Sequence, residues 1–362
     1  MKILFYIGNL KKGGAERVVV NLSNNFAQNN DVIIVTTTKD SCEYDLSEKI
    51  KLFSLETEKI NNKIKKNIKY IQRLTKIINT EKVDVAIAFL PEPSYRLLMI
   101  KNKINCPVIV SVRNDPKVEY KNILNKTLMK ILFKKSDGFV FQTKEAQEYF
   151  PKKYQIKSTI IANPVDDNFY KVKYIGINSK EFVTVGRLTS QKNQQFLIET
   201  FEKIVKKYDD YKLLIYGDGE LKNNLQEYLL KHNLTKNIKL CGNTNNVAEV
   251  IKDKYAFILP SLYEGMPNAL MEAMAVGLPC ISSDCPCGGP RELINNHENG
   301  ILVEVNSESE MFLAIEQLIL SKETCLNFSK KSTETMLKYK NDVISHKWLE
   351  FMEGVIKDAK DN

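Results

Sequence analysis

The sequence predicts an α/β protein of two Rossmann-like, doubly wound parallel-sheet domains that face each other across a cleft. Three observations predict this class. The chain has 362 residues, enough for about two domains. Short β-branched runs alternate with longer helix-period stretches in both halves, and strands separated by helices pair into parallel sheets covered on both faces. A break falls at IIANPVDDNF (160–169), where Pro164 drives Asn163 towards an extended backbone and a polar run follows.

In the first half, strands are predicted at 2–7, 31–36, 84–90, 107–112 and 138–142. In the second they are predicted at 181–186, 211–216, 237–241, 255–260 and 279–283. Helical periodicity marks 15–29, 59–79, 191–207, 219–232 and 267–276, and a last helix over 341–360 holds the only tryptophan, Trp348. The domains are therefore expected at 1–164 and 165–340.

With 43% hydrophobic and 27% charged residues, the composition excludes a disordered or collagen-like chain. The longest apolar runs, VDVAIAFL (83–90) and PVIVSV (107–112), fall short of the ~20 residues that span a bilayer. MKILFYIGNL at the N-terminus reads as a first strand rather than a signal peptide, so a cytoplasmic location is expected. Seven cysteines, an odd number in a long chain, suggest packed thiols, with neither a disulfide framework nor a metal site expected. The net charge of +9 is uneven: residues 1–165 carry 29 Lys+Arg against 16 Asp+Glu, and the remainder carry 24 against 28. A basic first half points to an anionic surface as its partner. Only six of the 53 basic residues are arginine, so Arg17, Arg113, Arg187 and Arg291, all in loop-like segments, carry information.

Four segments carry chemistry. GNLKKGGAERVVVNLS (8–23) is a glycine-bearing turn into a helix start, where Gly13 and Gly14 admit a ligand close to backbone N–H groups; it is not the G-x-G-x-x-G dinucleotide fingerprint. GRLTSQKN (186–193) projects Arg187 and Lys192 from one βα loop, a planar fork and a point charge suited to a pyrophosphate. In LPSLYEGMPNALMEAMAVGLP (259–279), Pro267 suits a first helical turn, and the N–H groups of Met266, Asn268 and Ala269 face an anion. Glu264 lies before that helix and Glu272 inside it, so the two carboxylates reach different parts of one elongated ligand. SSDCPCGGPREL (282–293) adds a second glycine turn, with Gly288, Gly289 and Arg291, that shapes the wall.

Taken in order, GGAER, NPVD, GRLTSQKN, GDGEL and EGMPNALMEAMAVGLP with its E-x₇-E spacing make the sequence resemble the retaining GT-B glycosyltransferases of family 4 along nearly its whole length. The resemblance implies an N-terminal acceptor-binding domain, a C-terminal nucleotide-sugar-binding domain, and a final helix (341–362) packing back on the first. It implies that Arg187 and Lys192 bind the donor diphosphate, that Glu264 contacts the donor sugar, and that Glu272 contacts the ribose. Gly186, Gly265, Met266, Pro267, Asn268 and Ala269 would line the donor, Asn243 and Thr244 would meet the base, and Gly14 would close over the diphosphate. The family often carries a histidine after the strand matching 107–112; here SVRNDP puts Arg113 or Asn114 in that acceptor-side place. The implied co-substrate is a UDP-sugar, with no metal required.

Basic amphipathic stretches complete the picture. Ile60, Ile64, Ile68 and Ile71 stand among Lys63, Lys65, Lys66, Lys69, Arg73 and Lys76. Ile123, Leu124, Leu128, Ile131 and Leu132 stand among Lys121, Lys126, Lys130, Lys134 and Lys135. Such helices bind anionic membrane surfaces, and no aromatic interleaving supports nucleic acid as the partner. The expected acceptor is a glycan, free or linked to polyprenyl diphosphate, in cell-surface polysaccharide synthesis. The alternatives are the same chemistry on a soluble acceptor and a non-catalytic sugar-nucleotide binder, the latter disfavoured by the retained glutamates and cations.

Overall fold

The computed structural model describes residues 1–39, 42–56 and 61–361. The chain divides into two compact units, Met1–Pro164 with Asn341–Asn362, and Val165–Lys340. Each is built on a wholly parallel sheet.

The first unit pairs β1 (Lys2–Ile7), β2 (Asp31–Thr36), β3 (Lys51–Ser54), β4 (Val85–Phe89), β5 (Val108–Ser111), β6 (Gly138–Phe141) and β7 (Ser158–Ile160) in the order β3-β2-β1-β4-β5-β6-β7. The second pairs β8 (Glu181–Val185), β9 (Lys212–Tyr216), β10 (Ile238–Gly242), β11 (Ala256–Leu259), β12 (Cys280–Ser283) and β13 (Ile301–Val303) in the order β10-β9-β8-β11-β12-β13. Central strands such as VAIAF and AFIL are buried throughout, as strands covered by helices on both faces must be. In each sheet the order reverses between two central neighbours, β1 and β4 in one and β8 and β11 in the other. Open α/β sheets bind ligands in the crevice outside the carboxyl ends of the strands at such a switch point.

Three strands absent from the sequence reading, β3, β7 and β13, are edge strands of three or four residues. They are too short to show a periodicity. The helix read at 59–79 runs Lys63–Glu81, because the Asn62 side chain accepts from the N–H groups of Ile64 and Lys65 and caps it there. Ile60 lies outside the described residues. The basic stretch around 117–135 is broken into Pro116–Glu119 and Ile123–Leu132, the second capped by Asn122.

The last helix, Asn341–Asp361, belongs to the first unit and packs beside the helix Gly14–Phe26. Trp348 is fully buried and stacks on Phe89 with ring centroids 5.9 Å apart. Gly138 in β6 leaves room for this helix, since a Cβ there would lie 3.0 Å from both Phe351 and Val355. In the second unit Phe182, Ile215, Tyr255, Ile258 and Ile315 join one apolar core that fixes the strand ends carrying the loops.

Candidate functional site

At the switch point of the second unit, the loop after β8 and the loop after β11 are tied together by side chains. Gln191 donates to the Tyr263 carbonyl at 2.9 Å, Asn193 donates to the Pro260 carbonyl at 3.2 Å, and Leu262 N–H donates to the Gln191 carbonyl at 2.9 Å. Within this frame the Lys192 ammonium stands 2.5 Å from Glu264 Oε1, and the Ser261 hydroxyl donates to the same oxygen at 2.7 Å. Glu264 is nearly fully buried and Lys192 half-buried, while Arg187 on the same loop is exposed. A buried carboxyl group is hydrogen-bonded here by an ammonium and a hydroxyl, with one cation of the loop still facing solvent.

The backbone of Glu264 is held from the other side. Its N–H donates to Pro286 O at 2.7 Å, and its carbonyl accepts from Cys287 N–H at 3.0 Å. Gly289 packs so closely on this loop that a Cβ would meet the Gly265 carbonyl oxygen at 1.8 Å. The turn Gly288–Gly289 therefore braces the glutamate loop. Arg291 ends on Asp284, with Nε 2.7 Å from its carboxylate.

Pro267 is the residue before the helix Asn268–Val276, which has no side-chain cap. Gly265, Met266 and Pro267 are buried, Asn268 and Ala269 half-buried, and Glu272 lies within the helix at 4% exposure. An uncapped helix start offers backbone N–H groups to an anion. Gly186 opens the loop after β8, where a Cβ on Gly217 would strike its carbonyl oxygen at 1.9 Å. Asn243 and Thr244 follow β10, the edge strand three places from β11, Asn243 exposed and Thr244 half-buried. The fold thus gathers Arg187, Lys192, Glu264 and the 265–269 backbone around one switch point and sets Asn243 and Thr244 at its margin. Sequence reading missed Ser261 and Gln191, whose roles depend on contacts across 72 residues in the case of Gln191 and Tyr263.

In the first unit, Gly14 is exposed at the start of Gly14–Phe26. The preceding Gly13 is clamped by the Tyr44 hydroxyl, which accepts from its N–H at 2.8 Å and donates to its carbonyl at 2.9 Å. Arg113 and Asn114 follow β5. Arg113 is buried over the Phe89 ring, with its guanidinium 5.1 Å from the centroid, and donates to Ser111 and Asn163; Asn114 is half-buried.

Nearby, Glu119 Oε2 has no hydrogen-bond partner, and burial, helped by Asp115, pushes its carboxyl up from 4.5 to about 8. A carboxyl raised in the folded state binds its proton more tightly there than in the unfolded chain. Stability should therefore fall as pH rises from the unfolded value towards about 8. Glu119→Gln should raise the thermal midpoint by several degrees at about pH 8.5 and hardly change it at about pH 5. A pH-independent difference in thermal melts would show that Glu119 is not protonated in the native state.

Among the described residues, no group of three or more His, Cys, Asp and Glu side chains is placed to hold a metal ion, and no helix is long and apolar enough to cross a membrane.

A family model described as Glycosyl transferases group 1 matches residues 168–335, and one described as Glycosyltransferase Family 4 matches residues 12–169. An uncharacterized glycosyltransferase of Methanocaldococcus jannaschii is 34% identical over 276 residues, which cover 68% of this chain and 66% of that one. The N-acetylgalactosamine-N,N'-diacetylbacillosaminyl-diphospho-undecaprenol 4-alpha-N-acetylgalactosaminyltransferase of Campylobacter jejuni is 28% identical, covering 88% of this chain and 90% of its own. Among solved structures, Anabaena HepE in complex with UDP and glucose superposes with a TM-score of 0.82 at 16% identity, over 98% of this chain and 99% of that one.

Proposed function

Given that the chain belongs to the GT-B glycosyltransferases of family 4, we propose that it transfers a hexose or N-acetylhexosamine from a UDP-sugar, with retention of configuration, to a glycan carried on a lipid diphosphate. The unit Val165–Lys340 binds the donor, and the unit containing β1–β7 binds the acceptor. One observation carries the reading: Lys192 and Glu264, from loops 72 residues apart, meet at 2.5 Å at the switch point, beside the exposed Arg187 and an uncapped helix start.

That arrangement suits departure of a nucleoside diphosphate. As the bond from the sugar's anomeric carbon to the phosphate oxygen breaks, negative charge grows on the diphosphate, where Arg187, Lys192 and the N–H groups at 265–269 stabilise it. The acceptor hydroxyl bonds to the anomeric carbon from the same face, and its proton passes to the departing phosphate oxygen. No protein nucleophile is needed. Glu264 orients the sugar hydroxyls, Glu272 the ribose, and Asn243 and Thr244 the base. Because protein cations meet the leaving group's charge, the reaction proceeds without a divalent metal. The names of the Campylobacter relative and of the HepE complex, with an undecaprenol diphosphate and UDP respectively, support the choice of acceptor and donor.

The acceptor's lipid places the enzyme on the cytoplasmic membrane face. Ile123 and Leu124 are 86% and 66% exposed, and Ile131 is exposed beyond them, although Met129 and Leu132 of the same helix are buried. A helix with one apolar side in the core and a second in water, among Lys121, Lys126, Lys130 and Lys134, fits an anionic bilayer. Ile64 and Ile68 are likewise exposed on Lys63–Glu81, where Lys66 is engaged 2.9 Å from Glu56. Changing Lys121, Lys126, Lys130 and Lys134 to Gln should weaken binding to phosphatidylglycerol vesicles at low salt by roughly 10²-fold or more, at about 1 kcal/mol per lysine. Transfer from UDP-sugars to a lipid-linked glycan in those vesicles should fall with it, while hydrolysis of the donor persists. A wild-type protein that turns over no UDP-sugar with any lipid-diphosphate glycan would overturn the function.

A further inference from the structure

Buried guanidinium groups are normally matched by a carboxylate, because an unmatched charge in the interior is costly. Arg96 follows that rule, pairing with Glu92 while also donating to Tyr6 at 3.1 Å and Asn67 at 3.1 Å. Arg113 does not. It is 7% exposed, and among the described residues no carboxylate pairs with it. Its acceptors are neutral: the Ser111 hydroxyl at 3.3 Å and the Asn163 side-chain oxygen, which also accepts from Gln142 at 2.7 Å. Nε has no partner at all. Of five N–H donors, most are unspent. Burial alone lowers its pKa to about 9, so the group remains charged at neutral pH with no counter-ion to hold it there.

The position is as telling as the charge. Phe89 closes β4, Ser111 closes β5, and Gln142 and Asn163 follow β6 and β7 by one and three residues. The carboxyl ends of four consecutive strands thus converge on one guanidinium, on the sheet edge where open α/β folds bind ligands. Phe89 lies under the plane of the guanidinium and fixes its orientation. Arginine's fork suits a planar or phosphate anion taken at two oxygens, a match that lysine does not make.

We infer that Arg113 is an anion-binding residue of the acceptor site whose missing counter-charge is the diphosphate that links the acceptor glycan to its lipid. This rests on the lipid-diphosphate reading above. The diphosphate of the donor shares the same chemistry, and the experiment separates the two.

The test compares one glycan on two aglycones, a short prenyl diphosphate and a neutral alkyl chain, with wild type, Arg113→Met and Arg113→Lys. Arg113→Met should raise KM for the diphosphate acceptor roughly 10- to 100-fold, the effect of losing hydrogen bonds to a charged group, and leave KM for the neutral acceptor unchanged. Arg113→Lys should recover part of the loss. UDP affinity by calorimetry should stay at the wild-type value in both variants. Thermal stability of Arg113→Met should hold or rise, because an apolar side chain replaces an uncompensated charge. Equal losses on both acceptors together with a lower melting temperature would make Arg113 a structural brace and overturn the inference. A weakened UDP affinity would assign the residue to the donor instead. Should Arg113→Met fail to fold, geranyl diphosphate titrated into UDP-saturated protein decides: wild type binding it no more tightly than Arg113→Lys overturns the inference. Wild-type protein that binds UDP but transfers to neither acceptor would instead count against the proposed function.

Discussion

Lys192→Met is expected to lower turnover at saturating donor by roughly 10²-fold or more, because it removes a charge aimed at the leaving group. It should also cost stability. Its ammonium is the cation paired with Glu264, whose side chain is only 8% exposed, and stranding a buried carboxylate costs about 3–5 kcal/mol. Arg187→Ala should produce a comparable loss of turnover with little change in melting temperature, since that side chain is exposed. The double variant Lys192→Met/Glu264→Gln separates the effects. Neutralising both partners should restore much of the stability and none of the turnover, as read by thermal melts and initial rates. Recovery of both would mean that neither charge acts on the donor and that Lys192→Met fails only by stranding the Glu264 carboxylate.

Gly289→Ala should be a damaging single methyl group in the second unit's site. The new Cβ would lie 1.8 Å from the Gly265 carbonyl oxygen and 2.9 Å from Pro267 Cδ, neither of which is the end of a flexible chain. The loop carrying Glu264 must then shift, and the paired backbone bonds to Pro286 and Cys287 shift or break with it. Overpacking of this kind typically costs about 1–3 kcal/mol. The melting temperature should drop by several degrees, and UDP affinity should fall by about tenfold or more as the helix start at Asn268 is displaced. Gly354→Ala, in a helix with nothing within 4 Å of the added atom, is the control and should be neutral or slightly stabilising. An unchanged UDP isotherm for Gly289→Ala would show that the glycine turn does not hold the glutamate loop.

The architecture was legible because its signals are local. Buried parallel strands appear as continuous apolar runs, as VAIAF and AFIL do, and the intervening helices carry their own period. The E-x₇-E segment and the GRLTSQKN loop were legible for the same reason: a strand end, a glycine and a helix start lie within a few residues of one another. The short edge strands β3 and β7 were not, since their pairing is decided by a neighbour already in place. Nor was the helix Pro91–Met99, whose two prolines sit in its opening turn and read as a loop.

By itself the sequence determined the central strands and the longer helices between them, which loops carry cations and carboxylates, and which family they belong to. Only the tertiary structure decided that Lys192 and Glu264 are partners, that Gly289 holds the Gly265 loop by close approach, that Ile123 and Leu124 face water rather than the core, and that Arg113 is buried with no carboxylate paired to it among the described residues. Each depends on distances between segments far apart in the chain. Burial and pairing, which set the cost of a charge, are properties of the packed interior and have no local sequence signature.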